Sequence, residues 1–259
     1  MTSAQRMPVL FIGHGNPMNA IEDTPFAQAW QEEACNIPCP KAILCISAHW
    51  ETDGTLVTAA KSPRTIHDFY GFPDALFKVQ YPAPGAPWLA TRVVELLGAD
   101  SVTADESWGL DHGSWSVLRR MYPEADIPVI QLSLDRNKST HEHVTMAKQL
   151  LSLRDEGVLI VGSGNIVHNL SLLRWHDDSP YQWAVEFNAL ATGLILKSDL
   201  DRLTNYQSLG EAARLSIPTN EHYLPLLYAL ALRTTEEPVS FFADQIVLGS
   251  IGMQSMKIR

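Results

Sequence analysis

Five histidines of this chain share a setting that suits chemistry. His14 stands between two glycines in Phe11-Ile-Gly-His-Gly-Asn-Pro17, where the apolar run Pro8 to Ile12 stops abruptly. The others also lie at the end of an apolar stretch or on a Gly/Pro-marked loop: His49 in Ser47-Ala-His-Trp50, His112 in Asp111-His-Gly-Ser-Trp115, His168 in Asn165-Ile-Val-His-Asn169 and His222 in Glu221-His-Tyr223. Neutral imidazoles can share one cation where several charged side chains would repel, and they serve zinc, iron, copper and nickel alike. The five are expected to converge on one metal ion. A lone histidine is usually a satisfied structural residue, and no short H-x-x-x-H unit links these. The expectation therefore rests on five of nine histidines having one context.

Such a cluster needs a scaffold that ends several strands at one rim. Pro8 to Ile12 and Lys41 to Ser47 read as buried strands, with a helix over Asp23 to Glu33 between them, and ligands gather beyond the carboxyl ends of strands in βαβ sheets. His14 and His49 lie just past two such ends. Ala59 to Pro87 is a long Pro- and aromatic-rich segment, either a functional wall or a surface excursion pinned by its aromatics, and Ile66-His67-Asp68-Phe69 within it can face a pocket. Trp88 to Leu97 predicts a helix and a short strand ends near Thr103. Ser114 is placed to cap a helix running through Arg120, with His112 just ahead of it.

Further along, Ile127 to Leu134 predicts a strand, and Thr140 to Arg154 a helix capped by Ser139 or Thr140, with His141 and His143 solvated in its first turn. The strand Gly157 to Val161 runs into Gly162-Ser-Gly-Asn-Ile-Val-His168, which lacks the third glycine and the acidic residue of a dinucleotide site. Its glycines are read as allowing a tight turn. Helices follow over Tyr181 to Leu196 and Leu200 to Leu215. Pro225 opens another that ends near Leu232, leaving His222 in the approach loop, and Gln245 to Ile251 forms a last strand.

The fold class expected is α/β: a single domain over residues 1–259, with a central mixed sheet, helices on both faces and the metal site at the strand-end rim. At 46% hydrophobic and 19% charged residues the chain has the balance of a soluble globular enzyme. The net charge of −10 argues against nucleic acid as a partner. No apolar run has the length of a membrane span and no secretory leader is visible, so a cytoplasmic protein without membrane partners is expected, as a monomer or small homo-oligomer. Cys35 and Cys39 could be half a zinc site, but no second pair completes it, and free thiols in a reducing compartment are the simpler reading.

The motifs Gly13-His-Gly-Asn-Pro-Met18, Ser47-Ala-His-Trp50, Thr65-Ile-His-Asp-Phe-Tyr-Gly-Phe-Pro73, Tyr81-Pro-Ala-Pro-Gly85, Gly109-Leu-Asp-His-Gly-Ser-Trp115, Gly164-Asn-Ile-Val-His-Asn169 and Glu221-His-Tyr-Leu-Pro-Leu-Leu227 cover nearly the whole chain in matching order. Together they closely resemble the 4,5-DOPA dioxygenase extradiol family. Plant betalain-forming enzymes belong to it, and the catalytic subunit of protocatechuate 4,5-dioxygenase is a more distant relative. The resemblance implies extradiol cleavage: a catechol such as L-DOPA and O2 meet at one metal, and the ring opens beside its two hydroxyls. For DOPA, cleavage between carbons 4 and 5 gives 4,5-seco-DOPA, which cyclises to betalamic acid.

Carried over residue by residue, the resemblance makes His14, His49 and His222 metal ligands, and His168 a fourth ligand or the base that takes a catechol proton. His112 becomes the residue that hydrogen-bonds oxygen or substrate and donates a proton. His67, Trp115 and Tyr223 are candidates for recognising the catechol. Better-understood ring-cleaving relatives use a carboxylate as third ligand. Here Glu221 is adjacent, but neighbouring residues point in different directions and His222 is preferred. Fe(II) is expected for oxygen chemistry, whereas an all-histidine set suits Zn(II) equally, and zinc has no redox change to offer O2. No organic cofactor is expected. A zinc hydrolase using the same histidines, or a non-catalytic interaction protein on this scaffold, are the other readings.

Overall fold

In the computed structural model, which describes residues 6–177 and 179–259, the apolar runs form the middle of an eight-stranded sheet. In chain order the elements are β1 (Val9–Gly13), α1 (Pro25–Cys35), β2 (Ala42–Thr52), β3 (Thr55–Thr58), α2 (Asp74–Phe77), α3 (Pro87–Leu97), β4 (Val102–Asp105), α4 (His112–Met121), β5 (Val129–Asp135) and α5 (Thr140–Lys148). They continue with β6 (Val158–Gly164), α6 (Gln182–Leu196), α7 (Leu200–Thr204), α8 (Glu211–Ser216), α9 (Leu224–Ala231), β7 (Val239–Phe242), β8 (Ile246–Val247), β9 (Ile251–Gly252) and β10 (Ser255–Ile258). The large sheet has the order β4-β3-β5-β2-β6-β1-β10-β7. β5, β2, β6 and β1 are mutually parallel, while β10 and β7 add antiparallel strands at one side.

Alternation along the central strands feeds two cores. Val9, Phe11, Leu44, Ile46, Ile130 and Ile160 face α3, α5, α6 and α9, whereas Leu10, Ile12, Ile43, Val129, Leu159 and Val161 face α1 and α4. Strands covered on both faces must be apolar at successive positions, which is why these runs carry so little polar character. The α/β class, the mixed sheet and the helices on both faces are as expected. Because the four central strands are parallel, their carboxyl ends share one edge, and the chain leaves that edge at His14 and at the segment leading to His168, whereas His49, expected just past the end of its strand, lies within β2, which runs on to Thr52.

Several local expectations are corrected. The helix expected to be capped by Ser114 starts at His112, because Asp111 is the cap and its carboxylate accepts the Ser114 amide. The helix expected over Thr140 to Arg154 ends at Lys148 and passes into a 3-10 turn at Leu151–Arg154, which carries the Arg154 guanidinium inward to the carbonyls of Met7 and Leu232 and to Glu237. His143 is buried, not solvated, with Nδ1 2.9 Å from the Tyr228 hydroxyl. The last strand was expected over Gln245 to Ile251. That stretch gives only β8 and β9, and β10 is the strand that pairs with β1.

The glycines of Gly162-Ser-Gly164 have ordinary negative φ, so they do not make a tight turn. A Cβ at Gly162 would meet the Pro225 carbonyl, and one at Gly164 the His222 carbonyl. Bare backbone there lets α9, buried along its whole length, lie directly on β6. Among the described residues, no helix is long and apolar enough to cross a membrane.

Candidate metal centre

Each histidine is delivered by a specific local device. His14 follows β1, and its amide extends the parallel ladder by donating to the Gly164 carbonyl at 3.1 Å. Gly15 at φ +56° then turns the chain away through the left-handed region, which glycine enters without steric penalty. His49 sits where β2 slips against β5: Ile46 pairs with Leu132 but Glu51 with Leu134, an irregularity of the kind that re-aims side chains. Gly113 lets the start of α4 approach, since a Cβ there would press on Ser47 Oγ and the His49 ring. His222 is set by its carbonyl, which accepts the Asn165 amide at 2.8 Å beside Gly164. The His168 amide is held by the Ser216 carbonyl at 2.8 Å.

The outer ring nitrogens are committed. Ser163 Oγ donates to the Gly113 carbonyl at 2.5 Å, so at 3.0 Å from His14 Nδ1 it must accept, leaving His14 Nε2 as a bare lone pair. His222 Nδ1 lies 2.9 Å from Glu221 Oε1, and His112 Nδ1 2.9 Å from Asp68 Oδ2. Partners of this type fix tautomer and ring orientation in metal-binding histidines.

All five histidines come together. The ring centres of His14, His49 and His222 form a nearly equilateral triangle of 5.0, 5.0 and 5.3 Å. With metal–nitrogen bonds of about 2.0–2.1 Å and ring centres about 1.1 Å further out, tetrahedrally disposed imidazoles have centres about 5 Å apart. The ring-centre spacing of His14, His49 and His222 matches that value. His14, His49 and His112 also place one ring nitrogen each within 4.8 Å of the others, as do His168 and His222 together with a Glu221 oxygen. The His112 ring, however, lies 3.8 Å from that of His49, and the His168 ring stacks on His222 at 3.5 Å and 9°. Those separations are closer than two ligands of one cation take.

Burial, followed by the neighbouring imidazoles, holds His14 and His222 well below the ordinary histidine range. Burial pushes His49 down to about 3 and His168 to about 4. All four are thus neutral near pH 7, the state a metal ligand or a base requires. Burial alone would raise Asp68, but its hydrogen bonds from His112 and the nearby His112 and His49 rings outweigh that and keep it low. Asp111 is raised, by burial first and then by Asp68. Its carboxylate accepts from Ser47 Oγ at 2.7 Å, Gln131 Nε2 at 2.6 Å and the Ser114 amide at 3.1 Å, which ties β2, β5 and α4 together beneath the histidines.

The three recognition candidates lie differently. Trp115 is fully buried, with Nε1 donating to the Ile66 carbonyl at 2.7 Å, and its ring is 5.7 Å from His67. His67 Nε2 is 3.0 Å from the Val79 carbonyl. Tyr223 turns away into the helical layer, its ring against Tyr206 and its hydroxyl donating to the Leu203 carbonyl at 3.1 Å. The aromatic ring beside His112 is Phe69, edge-on at 5.5 Å. Phe69 and Asp68 both stand in the Ile66-His67-Asp68-Phe69 stretch expected to face a pocket, where neither residue type nor spacing gives them a role of their own.

Fold and site define an α/β enzyme whose histidine cluster at the strand ends can take one metal ion. Residues 8–240 match the family described as the catalytic LigB subunit of aromatic ring-opening dioxygenase, and the chain belongs to that family. It is 50% identical to a protein named 4,5-DOPA dioxygenase extradiol from Escherichia coli (strain K12), across 99% of this chain and 96% of that one. A protein of the same name from Beta vulgaris is 40% identical, across 85% of this chain and 84% of its own. The crystal structure of an uncharacterized Escherichia coli K12 protein, JW3007, superposes with a TM-score of 0.84 at 46% identity, covering 98% of this chain and 100% of that one. Ring-opening dioxygenase activity of the extradiol type follows from this membership.

Proposed function

We propose that this protein opens the ring of a catechol such as L-DOPA with O2, cutting DOPA between carbons 4 and 5, at one metal ion held by His14, His49 and His222. The observation that carries the ligand set is the triangle of ring centres at 5.0, 5.0 and 5.3 Å, with His14 Nε2 bare. The relatives named 4,5-DOPA dioxygenase extradiol support the substrate class. Bound as Fe(II), the metal supplies the redox chemistry that lets O2 react with a catechol.

The chain's own residues do the rest. His168, neutral at pH 7, offers a lone pair to one catechol hydroxyl and takes its proton. A fourth-ligand role would need its ring to swing off His222. His112, against His49, takes the proton of the second catechol hydroxyl on its free ring nitrogen and returns it as the ring opens. Phe69 and the buried Trp115 give this side an aromatic wall that limits water. The free thiols Cys35, Cys39 and Cys45 suit a reducing compartment and support a cytoplasmic location.

Protein stripped of metal, reloaded anaerobically with Fe(II) and mixed with air-saturated L-DOPA should consume O2 in step with formation of a yellow product. Catechol turnover without O2 uptake, or a hydrolysis supported by Zn(II) alone, would sink the proposal and favour the zinc hydrolase.

A further inference from the structure

We infer that Asp68 is a positioning residue that holds His112 in the Nδ1–H tautomer, with Nε2 as the nitrogen left for reacting groups. The inference rests on the reading of His112 as the proton-carrying residue. Asp68 comes from the long segment between β3 and α3 and grips His112 twice: Oδ1 accepts the His112 backbone amide at 2.9 Å, and Oδ2 lies 2.9 Å from Nδ1. An ionised carboxylate only accepts, so Nδ1 must carry the hydrogen. The same Oδ2 is 3.7 Å from His49 Nδ1, so one carboxylate faces both a ligand histidine and the proton carrier. The pair is largely shielded, with side-chain exposures of 7% for His112 and 19% for Asp68, so water competes poorly for the bond.

A purely structural role, pinning the loop to the start of α4, is separable from this one. In Asp68→Asn the backbone amide of His112 still demands the amide oxygen, so the loop tether survives. The new NH2 then faces Nδ1, which must become an acceptor, and the proton moves to Nε2. An isosteric change thus inverts the tautomer without cutting the loop loose. Substitutions of carboxylates behind functional histidines typically lower activity by about 10–100-fold.

The test is a long-range 1H–15N spectrum of the full-length zinc-loaded protein labelled at histidine, with His112 identified by its loss in His112→Gln. Wild type should show the Nδ1–H pattern and Asp68→Asn the Nε2–H pattern. With Fe(II) loaded, kcat of Asp68→Asn should fall about 10–100-fold with little change in KM. Introducing Asp68→Asn into His112→Gln should cost nothing further. An Nε2–H pattern in wild type overturns the inference even if the variant fails to fold, and so does a loss that multiplies fully in the double variant. Wild-type turnover by His112→Gln would instead overturn the acid–base reading of His112, while the tautomer stands or falls on the spectrum.

Discussion

The Nε2 atoms of His14 and His49 face each other 3.1 Å apart across β6, the strand that separates β1 from β2 in the sheet. His14 Nδ1 gives its hydrogen to Ser163, so His14 presents only a lone pair across that gap, and a cation between the rings satisfies both nitrogens. His14→Ala and His49→Ala should each reduce bound metal from about one per chain to near zero by elemental analysis, whereas His112→Gln and His168→Gln should keep it and lose turnover. General acid–base groups contribute about 10²–10⁴-fold, which sets the size of that loss. Metal loss in His168→Gln would move this residue into the ligand set.

The same cluster ties stability to pH. His49 at about 3 and His168 and His143 at about 4 are neutral in the folded chain, while the unfolded chain binds protons below the ordinary value near 6.5. The unfolded state therefore holds more protons between these limits, and stability falls as pH drops through about 6.5 toward the folded values. Each such histidine steepens the decline by at most about 1.4 kcal/mol per pH unit. Urea midpoints of metal-free protein should fall steadily from pH 7.5 to 5, and a flat profile would contradict the neutral cluster.

Metal should also stabilise the fold, since the proposed ligands lie just after β1, in β2 and in the turn before α9. Saturation at a hundredfold above Kd is worth about 2.7 kcal/mol. The unfolding temperature should rise with free metal concentration in wild type and not in His14→Ala.

How much of this was legible in the sequence follows from how local each feature is. Apolar runs covered on two faces announce the central strands, and histidines at their carboxyl ends announce the rim. His143 shows the limit: it shares helix α5 with the exposed His141, and only the packing of α9, which brings Tyr228 over it, buries it. Asp68 was hidden for a similar reason, because its partner is 44 residues away and the loop that closes the distance has no period to read. β10 was missed because it is short and carries Lys257, which is buried and paired with Glu33, so it lacks the apolar signature of its neighbours.

Glycine at 164 is required by contact, not by backbone freedom. Gly164→Ala should push the His222 carbonyl off β6, destabilising the protein by about 1–3 kcal/mol, as overpacking does, and weakening metal retention in parallel. Gly193, inside α6 with open space around it, gives the opposite sign: Gly193→Ala should stabilise by about 0.5–1 kcal/mol with activity unchanged. Thermal melts of the two variants read both.

Tyr223 offers a check on where substrate recognition lies. It adjoins His222, yet its hydroxyl is bonded to Leu203 and its ring packs on Tyr206, so a catechol at the histidines does not reach it. Tyr223→Phe should therefore lower stability by about 1 kcal/mol, the net worth of one buried hydrogen bond, and leave KM for L-DOPA unchanged. Phe69→Ala removes the ring beside His112 and should raise KM by about 2–13-fold, the equivalent of about 0.5–1.5 kcal/mol for a specific aromatic contact. Steady-state kinetics on the two variants decide it: a KM that moves in Tyr223→Phe but not in Phe69→Ala would place the catechol on the α9 side of the metal instead of the loop side.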